Sequence, residues 1–172
     1  MTKSPTKSTA QEDILLVLAA EHRSIEQLID ALEAVDGEIA AEPRFLELYR
    51  VLSLHHYGEQ LVFYPAMREY EQTAIYLETA EEEHSAFKTL LEQMAHSSPN
   101  DPTFQAKLDQ LKEAIMGHIE EEENEIFPIV RVCMNELQLR RLVQEYRTVQ
   151  TKFAPKIEAR ICRNQKIATR KA

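Results

Sequence analysis

The chain has 172 residues, enough for one domain with a sizeable core, and it is poor in Gly (3) and Pro (7), with no Trp. That composition excludes a many-turned β-sandwich and points to an all-α protein. A formal net charge of −9 argues against bulk electrostatic attraction to nucleic acid or to an anionic membrane.

Residues 1–11 are polar, carry Lys3 and Lys7, and precede no apolar stretch of signal-peptide type. They are read as an N-terminal extension. The first predicted helix covers about residues 12–35 and stops at Asp36-Gly37. A second starts near Pro43, a favourable first-turn residue, and runs to about residue 70. A third spans about 73–96, after a weak break marked by Pro65 and Glu71-Gln72-Thr73. Ser97 to Asn100 form a loop. Asp101-Pro102 then supplies an N-cap and a first-turn proline for a fourth helix, to about residue 131.

Asn135 and Gln138 have capping-box spacing and open a shorter fifth helix, which Pro155 is expected to end. The remaining tail, 156–172, holds six basic residues and one acidic, leaving 28 acidic against 14 basic residues in the rest of the chain. The architecture expected is an antiparallel up-down four-helix bundle over 12–132, with the fifth helix and a basic tail over 133–172. Cys133 and Cys162 are too few for a disulfide scaffold and lack zinc spacing. They read as free thiols of a cytoplasmic protein. The fifth helix has an apolar stripe, Leu139, Leu142, Tyr146, Val149 and Phe153, that packs on its own bundle or makes a homodimer.

Apolar residues in the four main segments recur at alternating steps of three and four, as in a bundle seam. The seams are interrupted only by His22, by His55 and Glu59, by His84, and by His118 and Glu122. Burying an unpaired carboxylate costs several kcal/mol, and a buried imidazole also needs partners. Each of the six lies near the middle of its segment, so antiparallel packing brings them to one level. Four imidazoles and two carboxylates in one buried layer make a metal site. The carboxylates can bridge two ions, with two histidines for each. Imidazole and carboxylate together suit iron best, with manganese or zinc as alternatives, and an oxo or hydroxo bridge would leave an open position for a small molecule.

His55-x-x-x-Glu59 and His118-x-x-x-Glu122 each place two side chains on one helix face. Each motif is followed by an aromatic-rich turn, Phe63-Tyr64-Pro65 and Ile126-Phe127-Pro128, with the Pro ten residues after the His. This is an internal duplication.

The series His, His-x-x-x-Glu, His, His-x-x-x-Glu, with its two prolines, resembles the hemerythrin-like or HHE cation-binding domain over about residues 12–131. The resemblance implies a four-helix bundle around a non-haem di-iron centre. In it His22 and His55 bind one iron, His84 and His118 the other, and Glu59 and Glu122 bridge. Oxygen-carrying members have a fifth histidine one turn after the third; here that position is Lys88, which cannot ligate while protonated. The substitution weakens the reading as an O2 carrier and favours peroxide or nitric-oxide chemistry. The expected activity is catalase-like decomposition of hydrogen peroxide. The alternative is reversible O2 or NO binding, or oxygen or iron sensing or storage, without turnover.

Other residues receive plainer readings. Glu26, four after His22, is read as a solvated helix-face residue. Tyr57 and Tyr64 are packing aromatics, with a phenolate ligand as the alternative. His56 and His96 fall off the seams and are surface residues. Glu81-x-x-His84 has ferritin-type spacing but no second copy. Gly58 and Gly117 each cost about 1 kcal/mol against Ala inside a helix, and both are expected to allow close helix approach. No phosphate loop, nucleophile elbow or basic-aromatic surface is present.

Overall fold

The computed structural model describes residues 12–35 and 37–169; the extension 1–11, Asp36 of the first break, and the last residues of the basic tail, 170–172, lie outside it. Asp13 opens α1 (Ile14–Glu33), its carboxylate accepting from the Leu16 N–H at 3.1 Å. The second rod is α2 (Glu38–Gly58), a five-residue π-helical turn (Glu59–Phe63) and α3 (Tyr64–Arg68). A short α4 (Glu71–Ala74) fills the weak break and is pinned by the buried Thr73 hydroxyl donating to the Met67 carbonyl at 2.6 Å. Next come α5 (Leu77–Met94) and α6 (Pro102–Glu121), the latter capped by Asp101 accepting from the Thr103 N–H at 2.8 Å. A second π turn (Glu122–Ile126) leads into α7 (Phe127–Cys133), and α8 (Glu136–Thr169) completes the chain. The molecule is a helical bundle, with no strand among the described residues.

Two boundaries differ from the sequence expectation. The second helix begins five residues before Pro43, which sits within it at the cost of one backbone bond in its exposed opening turns. The fifth helix is not the shorter one. It runs 34 residues, straight through Pro155. A proline inside a helix costs about 3 kcal/mol, but Ile157 and Ile161 beyond it are buried against the bundle. Burying two such side chains is worth roughly 3–6 kcal/mol, enough to carry the helix on. Ion pairs from Arg50 to Glu158 and from Arg160 to Glu92 hold the same stretch to α2 and α5. The Asn135–Gln138 capping box forms as the spacing predicts, with reciprocal bonds of 3.0 and 2.9 Å.

The core is divided in two. One apolar cluster gathers Leu15, Leu18, Phe63, Met67, Val130 and Tyr146; the other gathers Ile25, Leu48, Leu52, Phe87, Leu111 and Ile115. On every rod the gap between the clusters falls at the polar seam residues: His22 between Leu18 and Ile25, and His84 between Ala80 and Phe87. The single layer expected from the midpoints is therefore present as a band across the bundle.

Each π turn begins on the glutamate of a duplicated motif and ends just before its proline. Pro65 and Pro128 lack the N–H for an α-helical bond and their rings crowd the carbonyl four residues back; a wider turn relieves both. The turn also resets the register, so Phe63, Tyr64 and Met67 stay buried after Glu59. The proline spacing was the sequence signal for this feature, although periodicity alone predicts an unbroken helix.

Candidate metal centre

His22 (α1), His55 and Glu59 (second rod), His84 (α5), His118 (α6) and Glu122 (the second π turn) are all buried, from 0 % to 6 % exposed. Their donor atoms converge. Nε2 of His55 and Nε2 of His84 lie 3.2 and 3.4 Å from the same Glu59 oxygen. Across the layer, Glu122 places one oxygen 3.3 Å from His22 Nε2 and the other 3.9 Å from His118 Nε2. Both carboxylates thus stand between histidines of different pairs. Two groups could each hold a cation, His22 with His55 and Glu59, and His84 with His118 and Glu59; within each the donor atoms lie within 4.8 Å of one another.

The donor set fits a metal rather than a self-satisfied polar core. Both Glu59 oxygens, Glu122 Oε2 and His22 Nε2 are enclosed without a hydrogen bond among the described residues. A native interior rarely leaves so many buried acceptors unserved. Cations among them would serve all four.

The outward ring nitrogens are held by a second layer of glutamates. His22 Nδ1 donates to Glu123 at 2.8 Å, His55 Nδ1 to Glu21 at 2.9 Å, and His118 Nδ1 to Glu83 at 2.8 Å. Such contacts fix the tautomer that turns the Nε2 lone pair inward and raise its basicity. Glu21 also accepts from the Tyr146 hydroxyl at 2.6 Å, bringing α8 into the site. His84 breaks the pattern: its Nδ1 is buried without a partner.

Electrostatics divide the two buried carboxylates. Burial, with the neighbouring Glu122 charge, pushes Glu59 well above the usual carboxylate range. Burial acts on Glu122 in the same sense, but the His118, His22 and His55 imidazoles outweigh it and lower its pKa to about 2. Burial alone would depress His118, yet Glu122 and Glu83 raise it. Desolvation lowers His55 and pushes His84 well below the ordinary imidazole value. In the metal-free layer, therefore, the protons favour Glu59 and His118.

The plainer readings fare unevenly. Glu26 pairs with Arg23 at 3.0 Å, Glu81 pairs with Arg68 at 2.6 Å, and His96 is exposed, so none of the three joins the site. Tyr57 packs, stacking on Phe153 at 4.4 Å. Tyr64 is closer to the chemistry than a packing aromatic: its hydroxyl lies 2.9 Å from His84 Nε2 and 3.4 Å from Glu122. His56 is not a surface residue. It is 9 % exposed and stacks on His84 with centroids 4.1 Å apart, because the position beside the seam is covered by α5. Glu83 and Glu123 lie in acidic runs that read as solvated faces, and Tyr146 read as one of an apolar stripe; the structure turns all three to the site, together with Glu21, which went unnoticed in the sequence. The three glutamates are each next to a seam histidine or glutamate, which was the available signal. Gly117 makes no close approach, since a β-carbon there would meet nothing within 4 Å, whereas one on Gly58 would run into Tyr146.

Comparison with known proteins agrees with this geometry. A family model, the hemerythrin HHE cation binding domain, matches residues 13–130. A curated relative described as a DNA nickase from a Nostoc species is 25% identical over 154 residues, 88% of this chain and 44% of its own length. An uncharacterized hemerythrin-like protein of Schizosaccharomyces pombe is 28% identical over 106 residues, 60% of this chain and 52% of that protein. The chain thus spans about half the length of these curated relatives. A crystal structure of an HHE cation binding domain-containing protein from Mycobacterium kansasii shares the fold, with a TM-score of 0.72 over 84% of this chain and 89% of that one, at 20% identity. With its buried layer of imidazoles and carboxylates and a family model covering most of its length, the chain belongs to the hemerythrin HHE cation-binding family.

Proposed function

We propose that the six residues bind two iron ions and that the protein decomposes hydrogen peroxide, converting two H2O2 to O2 and two H2O. The observation that supports this most is the convergence of two His-His-Glu groups on enclosed, unserved oxygens. Mixed imidazole and carboxylate donors suit iron. When bound, an iron pair supplies the electrons exchanged with the oxidant.

The chain's own residues do the rest. Glu21, Glu83 and Glu123 orient three imidazoles, and the surrounding apolar clusters limit access of water. Tyr64 holds a proton on a hydroxyl between His84 and Glu122, and burial with the nearby Glu59 and Glu122 charges keeps that phenol protonated. It is placed to donate to an oxygen arriving at the layer. Lys88 stands one turn beyond His84, exposed, where oxygen carriers have a ligand, which favours turnover over reversible carriage.

The nickase activity of the Nostoc relative is not carried over, because this chain matches less than half of that protein and is strongly acidic. No described helix is long and apolar enough to cross a membrane, and both cysteines are free, which suits a reducing cytoplasm. The test is to load the protein with iron, count the metal, add hydrogen peroxide and follow O2 release. Two irons per chain with catalytic O2 evolution is the expected result. A reversible spectral change on aeration with no turnover would replace it with the binding reading.

A further inference from the structure

A cavity of about 240 Å³ lies between α2, α5 and α8, outside the layer of donors but touching it at one residue. Its buried wall is formed by His84 and by His56, stacked on it. Its exposed rim carries Lys88 and Lys156, and Tyr49, Tyr57, Leu91 and Ile157 supply apolar sides. The volume is below that of ordinary cofactor pockets and admits one small organic molecule.

Two observations say what kind. The first is the break in the second layer. Three of the four seam histidines present Nδ1 to a glutamate, and His84, which lines the cavity, presents a buried Nδ1 to nothing. The Nε2 of His56, on the same wall, is likewise buried and unserved. The second is charge. The two acids lining the cavity are already engaged, Glu92 by Arg160 and the Tyr49 hydroxyl, Glu81 by Arg68. Lys88 and Lys156 have no ion-pair partner among the described residues; Lys156 lies only over the Phe153 ring, 4.6 Å from its centroid.

We propose that this cavity binds a small monocarboxylate with an apolar body, whose oxygen accepts from His84 Nδ1 and whose charge is met by Lys88 and Lys156. The bound anion would take the place that Glu21, Glu83 and Glu123 take at the other three histidines. The inference rests on the proposed function in one respect: an Nε2 lone pair committed to a metal leaves the His84 proton on Nδ1.

Benzoate is a suitable probe, titrated calorimetrically at low salt into the iron-loaded full chain, with benzyl alcohol as the uncharged match. Saturable benzoate binding is expected, with little from the alcohol. Lys88→Glu and Lys156→Glu should each weaken it by about fivefold. No benzoate binding at millimolar concentration, equal binding of the alcohol, or indifference to both substitutions overturns the proposal. Iron content measured on the same samples separates the failures. A full complement without benzoate binding removes the cavity site alone, whereas a chain that takes up no iron removes the proposed function and this inference with it.

Discussion

The ring of Tyr146 fills the space that a β-carbon on Gly58 would need, and its hydroxyl reaches Glu21 and the Nδ1 of His55, at 2.6 and 3.2 Å. The glycine inside the first copy of the duplicated motif is therefore there for the fifth helix. Gly58→Ala must displace a fully buried tyrosine and should destabilise the protein by roughly 1–3 kcal/mol. Gly117→Ala meets open space on an exposed helix face and should stabilise it by about 0.5–1 kcal/mol. Urea unfolding of the two variants side by side gives opposite signs if the packing is as described.

Removing the second layer should loosen the metal without unfolding the chain. Glu21→Gln and Glu83→Gln each take a charged acceptor from an imidazole N–H, and should lower iron affinity roughly 10–100-fold. Competition with a chelator reads this directly. Glu82→Gln, on an exposed residue next to Glu83, serves as a control and should leave affinity unchanged.

His118→Ala removes a donor shared with Glu122 and Glu59 and should reduce both iron content and thermal stability. The two losses are linked, since a cation that binds only the folded chain adds its binding energy to folding. Added iron should raise the melting temperature of the unsubstituted protein by more than it raises that of the variant.

Metal binding should strengthen as pH rises. Glu59 and His118 have folded pKa values raised above their ordinary 4.5 and 6.5, so each holds its proton longer in the metal-free fold than in the unfolded chain. The stability this confers on the metal-free protein is complete below those ordinary values and is lost as pH climbs through the raised ones. A cation must displace the same protons, so its affinity grows over that interval. Thermal unfolding with and without iron at pH 6 and pH 8 should show a larger metal-dependent shift at pH 8.

The helical bundle and the burial of the six polar seam residues in one layer were legible because they follow from two strong signals, apolar periodicity and the cost of burying charge. His22 and Glu122 stand out on a seam for the same reason that they are expensive there. The second layer was not legible, because Glu83 and Glu123 sit in acidic runs where a solvated residue and an oriented one look alike. His56 was misjudged for a related reason: a position just off the seam is exposed on an isolated helix and covered once α5 lies across it. The length of α8 was misread at Pro155, where a local penalty of about 3 kcal/mol is visible in sequence and the burial of Ile157 and Ile161 that offsets it is not. Tyr146 read as one more member of an apolar stripe. Its ring is that, and only its hydroxyl belongs to the metal centre.

The polar band that parts the two apolar clusters gives the molecule a waist. Without ions in it, both greasy ends keep their own packing, while the girdle between them holds crowded acids and imidazoles whose inward atoms are left unserved. Backbone amides of the rods' central turns should then exchange with deuterium sooner than those at either end. The cations would act as a belt, cinching two halves that the chain alone joins only by running through.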